Sequence, residues 1–172
     1  ANNILAMLEG IETETSADET IKNDMIGQSL AIRALAHFAL VNAYGLPYSH
    51  NGGSSLGVPV ITTLLVPDAK TARSTVAEVY AQIITDLTTA IPLLSESKKG
   101  GYINSWAAKT LLARVYLYKE DNTNAYATAV DVINNSPYSL MSGAEYVDSW
   151  ASDFSSESIF SCVNNQADNG GG

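Results

Sequence analysis

The side chains best suited to binding chemistry lie in one glycine-rich stretch, where Tyr48, His50 and Asn51 precede Gly52 and Gly53. The apolar face of an aromatic ring can stack on the C–H face of a pyranose, while amide and imidazole groups hydrogen-bond to hydroxyls. This combination predicts that Tyr48, His50 and Asn51 bind a sugar-like ligand. The alternative is that the stretch covers the core or faces a protein partner.

Two further aromatic residues, Tyr102 and Trp150, are weaker candidates for ligand contact because they lie outside this stretch. Trp106 begins the most apolar part of the chain, and we therefore assign it to the core.

Acidic side chains do not form a recognisable catalytic pair. Glycoside hydrolysis needs two carboxyl groups held about 5–9 Å apart across a cleft. Glu78 is placed to cap a helix, and the acids near the end of the chain fall in an irregular region. Phosphate-binding loops, nucleophile elbows and dinucleotide-binding motifs are also missing from the sequence. We therefore predict a protein that is not an enzyme, with no catalytic residues and no cofactor.

Metal binding is not expected either. A zinc site needs three or four ligands, and the chain contains only two histidines, His37 and His50, and one cysteine. We predict that His37 packs within a helix and that Cys162 is a small buried side chain. The acidic stretch 120–124 lacks the glycine and closing glutamate of a calcium loop, which favours a solvated helix connection.

The charge balance excludes whole classes of partner. The 172-residue chain carries a net charge of −9 with only nine basic residues. Binding a phosphate backbone requires a face rich in lysine and arginine, so nucleic acid is excluded, and an anionic membrane surface would repel the chain. No apolar run reaches the roughly 18 residues that a bilayer-spanning helix needs.

The elements that must position these side chains are mainly helices. Apolar residues recur at helical spacing along most of the chain, interrupted by glycine and proline. Thr75 followed three residues later by Glu78 is the pattern of a capping box. The predicted helices cover residues 2–13, 19–44, 75–95, 105–119 and 124–134, with a long loop at 46–73 and a tail of turns, a short helix and one candidate strand.

Two arginines interrupt otherwise apolar helices. Arg33 lies among alanines, and Arg114 lies among leucines and a valine. A ligand contact is one interpretation, but a buried arginine more often pairs with a carboxylate or a helix end, and we predict this structural role for both.

The unit from 105 to 134 has the pattern of a tetratricopeptide (TPR) repeat. Large side chains, Leu112 and Tyr116, on its first helix face small ones, Ala125 and Ala129, on its second. The sequence therefore predicts an all-α, TPR-like helical repeat scaffold with long irregular loops. Stacked helix pairs of this kind form surfaces that bind other molecules.

Several strings resemble the SusD/RagB family of outer-membrane nutrient-binding lipoproteins. They occur in the order expected for that family and extend over nearly the whole chain. They are residues 31–38 with 40–45, residues 57–60, residues 73–80 with 84–87, residues 106–109 with 112–117, residues 137–140 and residues 156–160.

The resemblance implies an α-helical, TPR-like and non-catalytic protein. It implies a glycan or oligosaccharide as ligand and a SusC-like TonB-dependent transporter as partner. It also implies a place on the outer face of the outer membrane of Bacteroidetes-type bacteria, through a lipid anchor absent from this chain. Family members are far longer, so we expect residues 1–172 to be a single fragment of such a domain. The ligand-binding residues proposed above come from the loop composition and not from a family motif.

A second hypothesis is a generic TPR-like adaptor for protein partners. It explains the helix pairs but not the extended Gly57-Val58-Pro59-Val60 string.

Overall fold

The computed structural model describes residues 1–98, 100–152 and 154–163. Within these residues the chain is all-α, as predicted, with no β-strand. A single isolated bridge joins Leu56 to Thr75. The helices are α1 (Asn2–Glu9), α2 (Ser16–Tyr44), α3 (Val76–Ala90), α4 (Ser105–Tyr118), α5 (Asn122–Asn135) and α6 (Gly143–Ser149), with 3₁₀ turns at His50–Gly53 and Ile91–Leu93.

Capping boxes fix the starts of the central helices. The predicted box at Thr75 is confirmed: its hydroxyl accepts a hydrogen bond from the Glu78 amide at 3.2 Å, and the Glu78 carboxylate accepts one from the Thr75 amide at 2.7 Å. These bonds lower the pKa of Glu78. A second box, Thr15 with Asp18, starts α2 three residues earlier than predicted. Local side-chain chemistry therefore sets both helix starts.

Loss of the Thr75 hydroxyl should destabilise the chain by about 1 kcal/mol, because the Glu78 amide in the first turn of α3 loses its hydrogen-bond acceptor. Thr75→Ala, followed by urea unfolding, measures this. Thr85→Ala is the matched control, because the exposed Thr85 hydroxyl bonds only to the carbonyl of Ala81 one turn before. Equal losses from both substitutions would contradict the capping role.

Helix ends depart from the predictions where glycine or proline intervenes. Helix α1 ends at Glu9 and not at 13, because Gly10 weakens its continuation. Helix α3 ends at Ala90, and Pro92, which has no amide proton, lies in the following 3₁₀ turn. The predicted short helix in the tail is α6, but the candidate strand is wrong within the described residues, where the tail is otherwise irregular.

The core forms where α3 packs between α2 and α4. Ala31 and Ala34 on α2 are fully buried, which lets the helices approach closely. Gly27 permits a still closer contact, since a Cβ there would lie 2.8 Å from Leu94 Cγ. The other central buried side chains are Phe38, Val41, Val76, Val79, Ile83, Leu87, Ala108, Leu112 and Val115.

Helices α4 and α5 form the predicted antiparallel pair. Trp106, assigned to the core, is only 5% exposed, and Ala125 on α5 is also buried. An ion pair between Lys109 and Asp131, at 2.6 Å, joins the two helices, and the Lys109 ammonium lies over the Trp106 ring at 4.2 Å. The TPR-like pairing therefore uses small-residue packing and a polar bridge together.

Two predictions about single residues are wrong. Cys162 is exposed and not buried, because the segment around it runs along the surface. Arg114 is exposed and has no hydrogen-bonding or ionic partner among the described residues, since its helix face is open to solvent. Among the helices described, none is long and apolar enough to cross a membrane.

Candidate functional site

The long loop that carries the candidate ligand residues is held to the helices at two places, one near Leu56 and Gly57 and one at residues 61–63. At one end Arg73 donates to the carbonyl oxygens of Gly57 at 2.6 Å, Leu56 at 3.0 Å and Tyr44 at 3.3 Å. The Tyr44 carbonyl belongs to the end of α2, where a cation is favourable. Arg73 therefore holds the start of the loop against the helix that leads into it.

At the other attachment Arg33 forms a buried ion pair with Asp86 of α3. Arg33 Nε and Nη2 donate to the two carboxylate oxygens at 2.8 and 2.7 Å, and the side chains are 11% and 2% exposed. Arg33 Nη1 also donates to the Thr62 carbonyl at 3.0 Å and to Asn2 Oδ1 at 3.1 Å. The predicted structural role of Arg33 is confirmed.

Asn2 completes this attachment from α1. Its amide nitrogen donates to the carbonyl oxygens of Ile61 at 3.2 Å and Thr63 at 3.1 Å. Gln82 donates to Asp86 at 2.8 Å. The ion pair thus sits in a network that joins α1, α2, α3 and the loop, which is why both charges can be buried.

His37 lies one turn after Arg33 and is buried, as predicted. Its Nε2 accepts a hydrogen bond from the Ile61 amide at 3.2 Å, and its Nδ1 has no partner within the described residues. Burial lowers the pKa of His37; the Asp86 carboxylate opposes this effect, and the Arg33 guanidinium adds to it.

Tyr48, His50 and Asn51 lie together at the exposed turn of this loop. His50 donates its amide to the Pro47 carbonyl at 2.9 Å, which begins the 3₁₀ turn. Asn51 and Gly52 have φ of 56° and 59°, a left-handed conformation that asparagine and glycine tolerate best. The side chains of His50 and Asn51 are exposed, so the turn presents an imidazole and an amide to solvent.

The Tyr48 ring is anchored to the core and does not stand free. It packs edge-on against Tyr80 with a centroid distance of 5.3 Å. A Cβ at residue 53 would lie 2.8 Å from Tyr48 Cε2, so only glycine fits beside the ring at Gly53. The Lys119 ammonium lies 5.7 Å from the ring centroid. Tyr48 is therefore half-buried and fixed in orientation.

Behind Tyr48 the aromatic packing continues to the end of α4. Phe38 lies 6.1 Å from Tyr80 and 5.3 Å from Tyr118, in edge-to-face arrangements. Tyr80 is buried and donates to Asn42, and burial, with a contribution from Tyr118, raises its pKa to about 12. Tyr118 remains half-exposed. We call Phe38, Tyr48, Tyr80 and Tyr118 the aromatic cluster.

Sequence reasoning missed Tyr118 and Lys119 as neighbours of the loop. They belong to the last turn of α4 and the residue after it, 70 and 71 positions from Tyr48 along the chain. In the sequence these two residues are a tyrosine followed by a lysine at a predicted helix end. This pattern is too common to predict a contact with the loop without the fold.

The other candidate aromatics lie elsewhere. Trp150 is 79% exposed and packs edge-on against Tyr146, with a centroid distance of 6.0 Å, while Tyr102 is half-exposed. An apolar groove of about 300 Å³ lies between α2 and α4, beside Leu35 and Leu111. Another, of about 530 Å³, lies beside Ile133 and Leu140. Neither groove is lined by Tyr48, His50 or Asn51.

Over the described part of the chain, no three histidine, cysteine or acidic side chains lie close enough together to hold a metal ion. The chemistry that the candidate site offers is therefore aromatic contact, hydrogen bonding and one nearby lysine.

Residues 1–117 match the family model described as "Starch-binding associating with outer membrane", the SusD-like family. The chain is a member of the SusD-like family. The match includes α1 to α3, the long loop and nearly all of α4.

A SusD-like protein of Bacteroides ovatus is 29% identical over 92% of this chain and 29% of its own length. The crystal structure of a SusD superfamily protein from Bacteroides thetaiotaomicron superposes with a TM-score of 0.92 at 39% identity, covering 99% of this chain and 38% of that one. A laminarin-binding SusD-like protein superposes with a TM-score of 0.78 at 28% identity, covering 92% of this chain and 34% of that one. The SusD-like chain thus spans about a third of the length of these relatives.

Proposed function

We propose that this chain is part of a non-catalytic, cell-surface glycan-binding protein that captures its ligand for a TonB-dependent outer-membrane transporter. Membership of a family described as starch-binding supports the ligand class. The laminarin-binding neighbour supports a polysaccharide in particular. Laminarin binding is a property of that neighbour and is not assigned to this chain.

Within this chain the proposed contact surface is the exposed turn beside the aromatic cluster. The partly exposed rings of Tyr48 and Tyr118 offer apolar surface, and His50 and Asn51 offer hydrogen-bonding groups. Because Arg73 and the core fix the turn before any ligand arrives, little conformational freedom would be lost on binding. That preorganisation is the observation that carries the proposal for this surface.

The test is affinity gel electrophoresis of the 172-residue chain and its full-length parent on immobilised glycans. Tyr48→Ala should weaken binding about tenfold or more, since a well-packed aromatic contact contributes roughly 1–3 kcal/mol. Asn51→Gly should weaken it as well. Glycine tolerates the left-handed backbone of Asn51, so this variant removes only the amide.

The matched control is Tyr126→Ala, which removes an equally large but 73% exposed ring on α5. It should leave binding unchanged. If Tyr126→Ala weakens binding as much as Tyr48→Ala, the turn is not the contact surface. Binding by the parent alone, unaffected by Tyr48→Ala, would place the ligand site in other parts of the protein.

A SusC-like transporter should co-purify with the full-length protein from outer membranes, where a lipid anchor would hold the protein. Incubation with a bound glycan should release no reducing ends. Release that an acid-to-amide substitution abolishes would show an enzyme instead.

A generic TPR-like adaptor remains the alternative, and one feature favours it. A groove of about 430 Å³ between α4 and α5 is lined by Ala113, Arg114, Leu117, Tyr126 and Ala129. The exposed Arg114 would suit an acidic peptide there. Binding of an acidic peptide that Arg114→Ala abolishes, without any effect of glycan, would support this function.

A further inference from the structure

The contact between His37 and the loop depends on one protonation state of the imidazole. Because the Ile61 amide can only donate, His37 Nε2 must accept, and the ring proton must lie on Nδ1. Protonation of Nε2 would place an N–H group against the Ile61 N–H, and the bond could not persist.

Burial disfavours a positive charge on His37 more strongly than the Asp86 carboxylate and the Arg33 backbone carbonyl favour it. The ring is 5% exposed, and within the described residues its Nδ1 has no partner in good hydrogen-bond geometry, although the Arg33 backbone carbonyl favours a proton there. The charged groups that face it are Arg33 on its own helix and Asp86 on α3, and Asp86 is already shared between Arg33 and Gln82. From the loop, the neutral Ile61 amide bonds to the ring. The Thr62 carbonyl and the neutral Asn2 of α1 bond to Arg33.

We infer that His37 is an acid-sensitive latch for the loop, whose protonation releases the Ile61 amide from α2. Arg33 and Asn2 bond to the carbonyl oxygens of Ile61, Thr62 and Thr63 and keep these partners in acid. Protonation therefore frees the loop locally at the Ile61 amide, while the ion pair and Asn2 still hold this part of the loop to the helices. The latch is independent of the ligand and stands whether or not the chain binds a glycan.

The sign of the pH dependence follows from burial, which favours the neutral ring in the folded chain. The pKa of His37 lies below the ordinary value of 6.5, so an unfolded or loosened chain binds the proton more readily. The contribution of neutral His37 to the stability of the folded chain is complete above about pH 6.5 and declines as the pH falls below that value. Carboxylates with a lowered pKa, such as Glu78, stop stabilising the fold only below about pH 4.5. The protonation of His37 and that of the carboxylates therefore act in different pH ranges.

Amide hydrogen exchange measured by NMR between pH 7.5 and pH 5 tests the latch in the 172-residue chain. The protection factor of the Ile61 amide, corrected for the intrinsic pH dependence of exchange, should fall about tenfold or more as His37 is protonated. The Gly57 amide, which bonds to the Ser74 carbonyl at 2.7 Å, should keep its protection and serves as the internal reference.

His37→Gln places a carbonyl oxygen near the position of Nε2 and cannot titrate, so protection of Ile61 should become independent of pH. His50→Gln is the matched control, because it removes the exposed histidine and should leave the pH dependence intact. Unchanged Ile61 protection in acid, while His37 is shown to be protonated, would overturn the latch.

A measurement on the unsubstituted chain keeps the inference testable if the variant fails to fold. Long-range nitrogen–proton correlation spectra report the tautomer of each histidine. The expected result at pH 7.5 is a proton on Nδ1 of His37 and none on Nε2. A protonated Nε2 at that pH would reject the latch directly.

Discussion

Asp86→Ala is expected to destabilise the chain by about 3–5 kcal/mol, as breaking one partner of a buried ion pair does. The substitution leaves the Arg33 guanidinium, 11% exposed, without its carboxylate, and Gln82 also loses its acceptor. Urea or thermal unfolding of the two proteins measures the difference. The loop should also become more sensitive to protease near residue 62.

The Lys109–Asp131 pair on α4 and α5 is the matched control. Its side chains are 22% and 39% exposed, so solvent screens the attraction. Asp131→Ala should therefore cost at most about 1 kcal/mol. The double variant Arg33→Met with Asp86→Leu should lose less free energy of unfolding than the sum of the losses of the two single variants, since no charge is left buried. A loss below about 1 kcal/mol for Asp86→Ala would contradict the role given to the pair.

Leu112→Ala is expected to cost about 2–5 kcal/mol, because it leaves a cavity between α4 and its neighbours. Leu112 is 5% exposed and belongs to the same core as Ile83 and Leu87. Equilibrium unfolding in urea measures the loss of stability. The m-value, which is the slope of the free energy of unfolding against urea concentration, should stay constant if only the native core is affected.

Leu117→Ala is the control on the same helix. Leu117 is 57% exposed, so its truncation removes little buried surface and should cost well under 1 kcal/mol. A loss of less than about 0.5 kcal/mol for Leu112→Ala would mean that α4 is not central to the fold.

Sequence patterns predicted the features that short-range interactions decide. The capping box at Thr75 and Glu78 needs only residues three apart. Helix α2 ends at Tyr44 as predicted, but Gly45 is extended and not left-handed; a Cβ there would lie 2.7 Å from the Val41 carbonyl oxygen. Pairing of α4 with α5 was also predictable, because a short turn brings consecutive helices together. The family resemblance, carried by ordered strings, agrees with the family that the comparisons show.

Patterns within a helix could not identify partners that the fold brings together. Arg33 was predicted to pair with a carboxylate, but nothing local selects Asp86, which lies 53 residues away. The same limit explains the wrong prediction for Arg114, where the helix face proved open. Both arginines interrupt apolar helices, and only the packing of neighbouring elements distinguishes them.

The candidate site was predictable in part for the same reason. The composition of the loop indicated Tyr48, His50 and Asn51, and the structure places them on one turn. Their ligand-binding role stays a prediction. The anchoring of Tyr48 by Tyr80, and the approach of Lys119, depend on contacts between elements that are distant in sequence.

The loop network also bears on how the chain assembles. Asn2 bonds to residues 59 and 61 positions away, and Arg33 to one 53 positions away, whereas α4 and α5 are joined by a turn of a few residues. A contact between residues far apart in sequence costs more conformational entropy, because a longer loop of chain must be closed to form it. Such contacts therefore form late in folding. The pair of helices α4 and α5 should therefore assemble first, and the attachment of residues 61–63 should be among the last steps of folding.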